Sequence, residues 1–358
     1  MVEATAQQDT LIASILSLSK FTDDEDSLAI ATTGMQSLFE RVFDQVDNFA
    51  DIRVDKRFVE DLIDELDEKL SRQMDEILHN EEFKALEAPW RSLKFLTSRT
   101  NFAENIKISM LSVRQDELLD DFADAADITE CGLYRKVYTD EYGQFGGEPF
   151  GVMIGNYALS PSAADVALMT HMSALSAMTH APFIAGTHQS FFGINSYSEI
   201  PHLKQVEAMF EGPQYFKWRA FRDSDDSRNL GLTLPRFMLR ATYGDNIPVK
   251  TFDYQEGASQ EGDYLWGNAA FAYATRLTDS FARYRWCPNI IGPQSGGSVH
   301  DLPIDVVEEA GLSRVVGPIE TAISDRKEYE LSELGFIPLT LRKDADSAVF
   351  FSSNSTQK

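Results

Sequence analysis

The chain has 358 residues, 43% hydrophobic and 25% charged, so it can bury a sizeable core as one large domain or two ordinary ones. Its 57 acidic and 32 basic residues give a formal net charge of −25, which argues against a general nucleic-acid binder and against docking on an anionic membrane. Acidity on this scale suits solubility, basic partners or a surface that is neutralised on assembly.

The two cysteines and the hydropathy pattern indicate in which cellular compartment the protein is expected. Cys131 and Cys287 lie far apart with no CxxC pattern, which fits two buried thiols in a reducing environment. No apolar run approaches the roughly 20 residues of a membrane span, and the N-terminus lacks the basic and apolar regions of a secretory signal. The sequence therefore predicts a cytoplasmic protein with no membrane insertion.

Residues 1–54 are predicted to form an N-terminal arm with a linking helix at 35–49. The arm carries a short apolar patch with helical spacing, made of Leu11, Ile12, Ile15, Leu16 and Leu18. A helix of little more than two turns is unstable alone in water, so the patch is expected to fold against a partner. A disordered tail is the alternative.

Residues 55–100 are predicted to be an acidic helical segment. Leucines and a methionine at every fourth position, from Leu62 to Leu78, predict a helix over about 55–79, and EEFKALEAPWRSLKFL predicts a second. The apolar stripe of the first helix is either core or a surface for another helix.

Residues 101–358 are predicted to be a mixed α/β body. Strands are expected at 106–113, 151–155 and 182–186, with helices at 115–125 and from 160 onward, where Ser160 is the expected cap and Pro161 the first helical residue. This alternation predicts a sheet with parallel pairs. In the second half we expect helical segments at 202–210 and 213–222, a strand at 235–240, a loop at 242–262, a helix at 263–284, and strands at 336–341 and 348–351.

Two glycine clusters raise the question of a nucleotide site. GGEPFGVMIGNY (146–157) has its paired glycines before the strand rather than between strand and helix, and GPQSGGSV (292–299) is followed by neither a helix nor a lysine. Turns are favoured at both, and a nucleotide-dependent enzyme is the less favoured alternative. No histidine pair has metal-ligand spacing and no serine lies in a GxSxG elbow, so no catalytic residue, cofactor or metal is predicted.

The stretch KWRAFRDSDDSRNLGLTLPRF (217–237) mixes arginines, aspartates and aromatic residues. Both signs of charge beside aromatic side chains predict an ion-pair network on or beneath a contact surface, since arginine and tryptophan are common at interface hot spots. The predicted members are Trp218, Arg219, Arg222, Asp223, Asp226, Arg228 and Arg236. The alternative is a solvated loop with scattered ion pairs.

Several long blocks in order resemble one family. ILHNEEFKALEAPWRSLKFL, GGEPFGVMIGNY, HAPFIAG, KWRAFRDSDDSRNLGLTLPRF, DYLWGNAAFAYATRLTDSFARYRWC and DRKEYELSELGFIPL resemble the large subunit of the type VI secretion contractile sheath, from about residue 55 to 358. The resemblance implies a fold related to contractile phage-tail sheath proteins and a structural, non-enzymatic role.

The resemblance also implies partners. A large sheath subunit pairs with a small sheath subunit, and the heterodimers polymerise with neighbouring copies around an inner tube protein, on a baseplate in the cytoplasm. Contraction propels the tube, and a recycling unfoldase ATPase engages the sheath mainly through the small subunit. In this family the N-terminal arm links subunits and the chain continues beyond the position of Lys358, so a shortened product or a non-polymerising adaptor is the alternative expectation.

Overall fold

The computed structural model describes residues 33–34, 56–142, 144–244, 247–250, 252–258, 261–309, 312–342 and 346–358. The chain divides into two compact units, residues 1–66 and 67–358. The predicted arm lies outside the described residues except for 33–34, and so do its patch from Leu11 to Leu18 and the helix at 35–49. The predicted boundaries after residues 54 and 100 stay predictions.

The described α-helices and strands follow in chain order. The helices are α1 (Lys56–Leu78), α2 (Glu81–Ser98), α3 (Gln115–Asp124), α4 (Ala163–Thr179), α5 (Val206–Phe210), α6 (Phe216–Arg222), α7 (Ala269–Tyr284) and α8 (Asp325–Glu333). The strands are β1 (Met153–Leu159), β2 (Phe183–Thr187), β3 (Leu230–Leu234), β4 (Phe237–Met238), β5 (Trp266–Gly267), β6 (Ser298–Val299), β7 (Asp305–Glu309), β8 (Leu312–Val316), β9 (Phe336–Leu341) and β10 (Ala348–Phe350).

Shorter helical turns connect these elements. Gly132–Tyr134 and Asp140–Tyr142 flank a π-helical turn at Arg135–Thr139. Single 3₁₀ turns lie at Phe102–Glu104, Ile128–Glu130, Gln189–Phe192, Tyr197–His202, Pro213–Tyr215, Asp225–Asn229 and Glu261–Asp263.

A six-stranded sheet in the order β1-β2-β3-β9-β10-β6 forms the centre of the body. The first four strands run parallel, and β10 pairs antiparallel with both β9 and β6. Every residue of β2 and β3 is buried, as expected of parallel strands covered on both faces. The predicted α/β body with parallel pairs is confirmed.

Helices cover both faces of the sheet. On one face α3, α4, α6 and α8 enclose a core with the aromatic group Phe191, Phe192, Phe210, Trp218 and Phe336. On the other face α7 packs on β1, β2, β3 and β6 and against α2. The core on this face also includes Leu96 at the end of α2 and Leu339 and Phe350 of β9 and β10. The body is therefore a three-layer sandwich with two cores.

Local capping explains where several helices begin. Asn80 accepts hydrogen bonds from the amides of Glu82 and Phe83 at the start of α2, and Asn268 caps α7 in the same way. The predicted helix at 263–284 therefore starts later, at Ala269, and the residues before the cap form β5. The predicted cap of α4 is also wrong by two residues: Ser162 is the cap, and Ser160 instead hydrogen-bonds to Asp165.

Three strand predictions need correction. Residues 106–113 form no strand, since none of the described residues pairs with them in a ladder. The strand expected at 151–155 lies at Met153–Leu159. The one expected at 235–240 is only Phe237–Met238, because Pro235 lacks the amide that a ladder needs. β3, the β7–β8 hairpin and α8 were not predicted from the sequence.

Candidate assembly surfaces

Trp218 lies in the core rather than on a contact surface. It is 1% exposed, and its ring meets Phe191 edge-on with the ring centroids 4.8 Å apart. A side chain with this burial stabilises the fold, and it is not available to a partner.

Arg222 is the buried arginine of the predicted network. Its Nε donates to the carbonyl oxygen of Thr356 at 2.9 Å, and a terminal nitrogen donates to the carbonyl oxygen of Glu333 at 3.3 Å. Burial lowers the pKa of Arg222 from its usual value. The side chain ties α6 to the segment that follows β10 and to the end of α8.

The other arginines of the predicted ion-pair network each have a different partner. Arg219 donates to the carbonyl oxygens of Phe210 and Gly212. Arg236 makes a bidentate ion pair with Glu320, with N–O distances of 2.8 and 2.6 Å. Arg228 is exposed and lies 3.8 Å from Asp225.

The stretch 217–237 is thus not the single network that was predicted. Its arginines bond mainly to carbonyl oxygens of other segments, because α6 and β3 bury this part of the chain in the body. Asp223, Asp226, Arg228 and Arg236 are its exposed predicted members. Arg236 is paired with Glu320, and the other three stay candidates for contact with a partner.

A charged cluster that was not predicted from the sequence joins α2 and the turn before it to Arg240 and the loop residue Glu256. We call this cluster the ion-pair centre, and its members are His79, Glu87, Arg91, Arg240 and Glu256. Arg240 makes two hydrogen bonds to Glu256, at 2.6 and 3.1 Å, and a third contact of 3.4 Å to Glu87. Glu87 also accepts from Arg91 at 2.5 Å, and His79 lies 3.2 Å from Glu256. The side chains of Arg240 and Glu256 are 5% and 1% exposed.

The electrostatics of the ion-pair centre keep its central pair ionised. Burial alone would raise the pKa of Glu256, but hydrogen bonds from Arg240, from the amide of Tyr243 and from His79 bring it below its usual value. Burial opposes the charge of Arg240, yet Glu256 and Glu87 hold the pKa of Arg240 above its usual value. The centre therefore acts as a structural tie between α2 and the loop.

A second contact ties the same loop to α1. The Tyr254 hydroxyl donates to one carboxylate oxygen of Asp75 at 2.7 Å, and the Gly257 amide lies 3.2 Å from the other. The spacing of Glu87 and Arg91 on one helix was the one local signal of these ties, because the loop residues come from far along the chain.

The glycine clusters form turns, as the sequence predicted. Gly292 donates to the carbonyl oxygen of Phe350 at 2.7 Å, Gly297 donates to Gly292 at 2.9 Å, and Phe350 donates back to Gly297 at 3.0 Å. A Cβ on Gly297 would lie 2.4 Å from the oxygen of Phe350. The amides of both glycines bond within the protein, so this turn holds β10 rather than cradling a phosphate.

The described part of the chain also tests the expectations about metal ligands, cysteines and membrane-spanning helices. No group of three or more His, Cys, Asp or Glu residues there has the geometry to hold a metal ion. Cys131 is buried, but Cys287 is exposed, so the prediction of a buried thiol at 287 is wrong. None of the helices among the described residues is long and apolar enough to cross a membrane.

Large apolar side chains are exposed on one side of α2. Phe83, Leu86 and Trp90 are 36%, 62% and 59% exposed and follow the three- and four-residue spacing of one helix face. We call them the α2 stripe. The opposite side of α2, at Ser92 and Leu96, is buried in the body.

The fold and these sites define a class of protein: a three-layer α/β body in which buried charged side chains bond within the chain and the α2 stripe is exposed. Comparison with known proteins agrees. The chain belongs to the VipB family, described as EvpB/VC_A0108, tail sheath N-terminal domain, whose model matches residues 60–357. It is similar to the type VI secretion system sheath protein TssC1 of Pseudomonas aeruginosa, with 35% identity over 363 aligned residues that span 99% of this chain and 72% of the relative. The resemblance found in the sequence is confirmed.

Proposed function

We propose that this chain is the large structural subunit of a type VI secretion contractile sheath. The observation that carries the proposal is its 35% identity, along 99% of its length, with a protein named as a type VI secretion system sheath protein. In this role the chain does mechanical work through its contacts and catalyses no reaction.

The architecture supports such a role. A sheath subunit that contracts moves between two packings as a solid body, and the three-layer sandwich has helices packed on both faces of its sheet. The ion-pair centre and the Asp75 contacts tie the helices α1 and α2 to the body. The helices can therefore transmit force to the sheet.

The partners follow from the family. In our proposal the chain pairs with a small sheath subunit and polymerises with neighbouring copies in the cytoplasm, around an inner tube and on a baseplate. A recycling unfoldase ATPase engages the polymer mainly through the small subunit. The arm at 1–54, with its apolar patch, and the exposed Asp223, Asp226 and Arg228 are proposed contacts between subunits.

Co-expression tests the proposal. The chain is produced with the small sheath subunit of the same organism, and the product is examined by size-exclusion chromatography with light scattering and by negative-stain electron microscopy. We expect a tight complex and sheath-like tubules. A monodisperse monomer with the small subunit in separate fractions would contradict the proposal.

A further inference from the structure

The C-terminal end of α7 carries large aromatic side chains on the surface. Trp286 is 67% exposed, and Tyr284 and Phe102 are exposed as well. The Arg285 guanidinium donates to the carbonyl oxygen and to a carboxylate oxygen of Glu104, both at 2.7 Å. These bonds hold the 3₁₀ turn that carries Phe102 beside the end of the helix. We call this surface the α7 patch, and its members are Phe102, Arg283, Tyr284, Arg285 and Trp286.

The backbone at Arg285 is held in a conformation that costs free energy. Its φ is 67°, in the left-handed region, where glycine is the usual residue at the end of a helix. The Arg285 amide donates to the carbonyl oxygen of Phe281 at 2.8 Å, and the side chain makes the two bonds to Glu104. The exposed Trp286 therefore follows a turn that three hydrogen bonds hold in place.

The α7 patch is a positively charged region of an acidic chain. Residues 280–300 include no acidic residue, whereas the whole chain has 57. Arg276 and Arg283 share the carboxylate of Asp279, at 3.8 and 3.1 Å, and both Arg283 and Arg285 are exposed. The arginines outnumber their carboxylate partners, so this region attracts an anionic surface.

An opposite charge lies on the other side of the sheet. Residues 115–130, which include α3, carry seven acidic residues and no basic one. Asp116, Asp120 and Asp124 are exposed at every fourth position of α3, so they form one line on the helix, which we call the acidic row. Because α3 and α7 pack in opposite layers, the acidic row and the α7 patch meet only between two copies of the chain.

We propose that the α7 patch of one copy binds the acidic row of a neighbouring copy. Tryptophan and arginine are the residue types that most often anchor interfaces, and arginine pairs with carboxylates through parallel hydrogen bonds. A contact between two different surfaces leaves one of each surface free at the ends, so it can continue as a helical polymer. This inference rests on the proposed function, which makes neighbouring copies the partners.

The contact is local, whereas the repulsion between chains of net charge −25 acts at a distance. Ion pairs that are partly buried at a contact are screened by salt much less than exposed charges are. The α7 patch therefore gives two acidic copies a place of attraction, while repulsion still governs how they approach each other.

Substitutions of exposed side chains test the contact without disturbing the fold. Trp286→Ala removes the aromatic anchor, and Phe216→Ala is its matched control, because Phe216 is 68% exposed. Arg283→Glu reverses one charge of the α7 patch, and Arg326→Glu makes the same change at an exposed arginine of α8. We expect the melting temperatures of the four isolated variants to stay within about 2 °C of the wild type.

The readout is polymerisation with the small sheath subunit, followed by light scattering and electron microscopy. We expect Trp286→Ala and Arg283→Glu each to raise the critical concentration about tenfold, and the two controls to leave it unchanged. Asp120→Arg, in the middle of the acidic row, should also raise it. Combining Arg283→Glu with Asp120→Arg restores opposite charges across the contact, so the double variant should return toward the wild-type value.

The other outcomes separate this inference from the proposed function. Equal critical concentrations for each variant and its control, or a double variant no better than its parents, would overturn the inference and leave the sheath role standing. Weaker binding of Trp286→Ala or Arg283→Glu to the small subunit in a one-to-one complex would overturn the choice of a second copy as the partner. A wild-type chain that forms no polymer with the small subunit would overturn both proposals.

Discussion

Two arginines six residues apart illustrate how burial decides what a charged side chain does. Arg222 is buried and bonds to the carbonyl oxygens of Thr356 and Glu333, whereas Arg228 is exposed beside Asp225. We expect Arg222→Met to lower the free energy of unfolding by about 2–3 kcal/mol, because two carbonyls lose a charged donor. Arg228→Met should change it by less than about 0.5 kcal/mol. Urea unfolding measures both, and equal losses would mean that the Arg222 contacts do not stabilise the fold.

The ion-pair centre gives a second prediction at the scale of the residue. Glu256→Gln leaves Arg240 buried without its main anionic partner, so we expect a loss of about 3–5 kcal/mol at neutral pH. Glu68→Gln removes an exposed pair with Arg72 and serves as the control, with an expected change under about 0.5 kcal/mol.

The same variant has a pH signature. The pKa of Glu256 is lower in the folded chain than in the unfolded chain, where it is about 4.3. Its carboxylate therefore stabilises the fold above the unfolded value, and this contribution is lost as the pH falls through the folded value. The difference between wild type and Glu256→Gln should shrink as urea titrations are repeated from neutral pH into this acid range. A constant difference would show that Glu256 acts through its shape rather than its charge.

At the scale of the element, the turn at 292–297 fixes β10 through a close backbone approach. A Cβ on Gly297 would lie 2.4 Å from a carbonyl oxygen, whereas a Cβ on Gly151 would meet nothing within 4 Å. We expect Gly297→Ala to cost about 1–3 kcal/mol in urea unfolding, and Gly151→Ala to be neutral or slightly stabilising. Indistinguishable variants would mean that the turn can move away from β10.

Trp218 and Trp90 differ in burial, so replacing each with alanine should have a different effect. Trp218 is 1% exposed and Trp90, in the α2 stripe, is 59% exposed. Trp218→Ala should destabilise the chain by about 3–5 kcal/mol. Trp90→Ala should leave the stability of the isolated chain nearly unchanged but weaken co-purification with other sheath components, because exposed aromatic side chains act as interface anchors. If Trp90→Ala assembles normally, the stripe is not an assembly surface.

Helices and buried strands could be predicted from the sequence because their signals are local. The apolar spacing in α1 and the apolar run that opens β2 lie within single segments, and the predicted bounds agree with the structure to within a few residues. Residues 106–113 show the limit: the pattern of a strand is present, but a strand exists only where a second backbone pairs with it. The ion-pair centre could not be predicted, because Glu87 and Glu256 come together only through the fold.

At the scale of the whole molecule, net charge governs how copies approach each other. A chain with a net charge of −25 must bring like charges together when it polymerises, and this repulsion acts over the Debye length. That length falls from about 30 Å in about 10 mM salt to about 8 Å in about 150 mM salt. We therefore expect the critical concentration for polymerisation with the small sheath subunit to fall as salt rises over this range, as followed by light scattering. A critical concentration that rises with salt would mean that contacts between opposite charges hold the copies together, and the acidic surface would then be an attractive part of the interface.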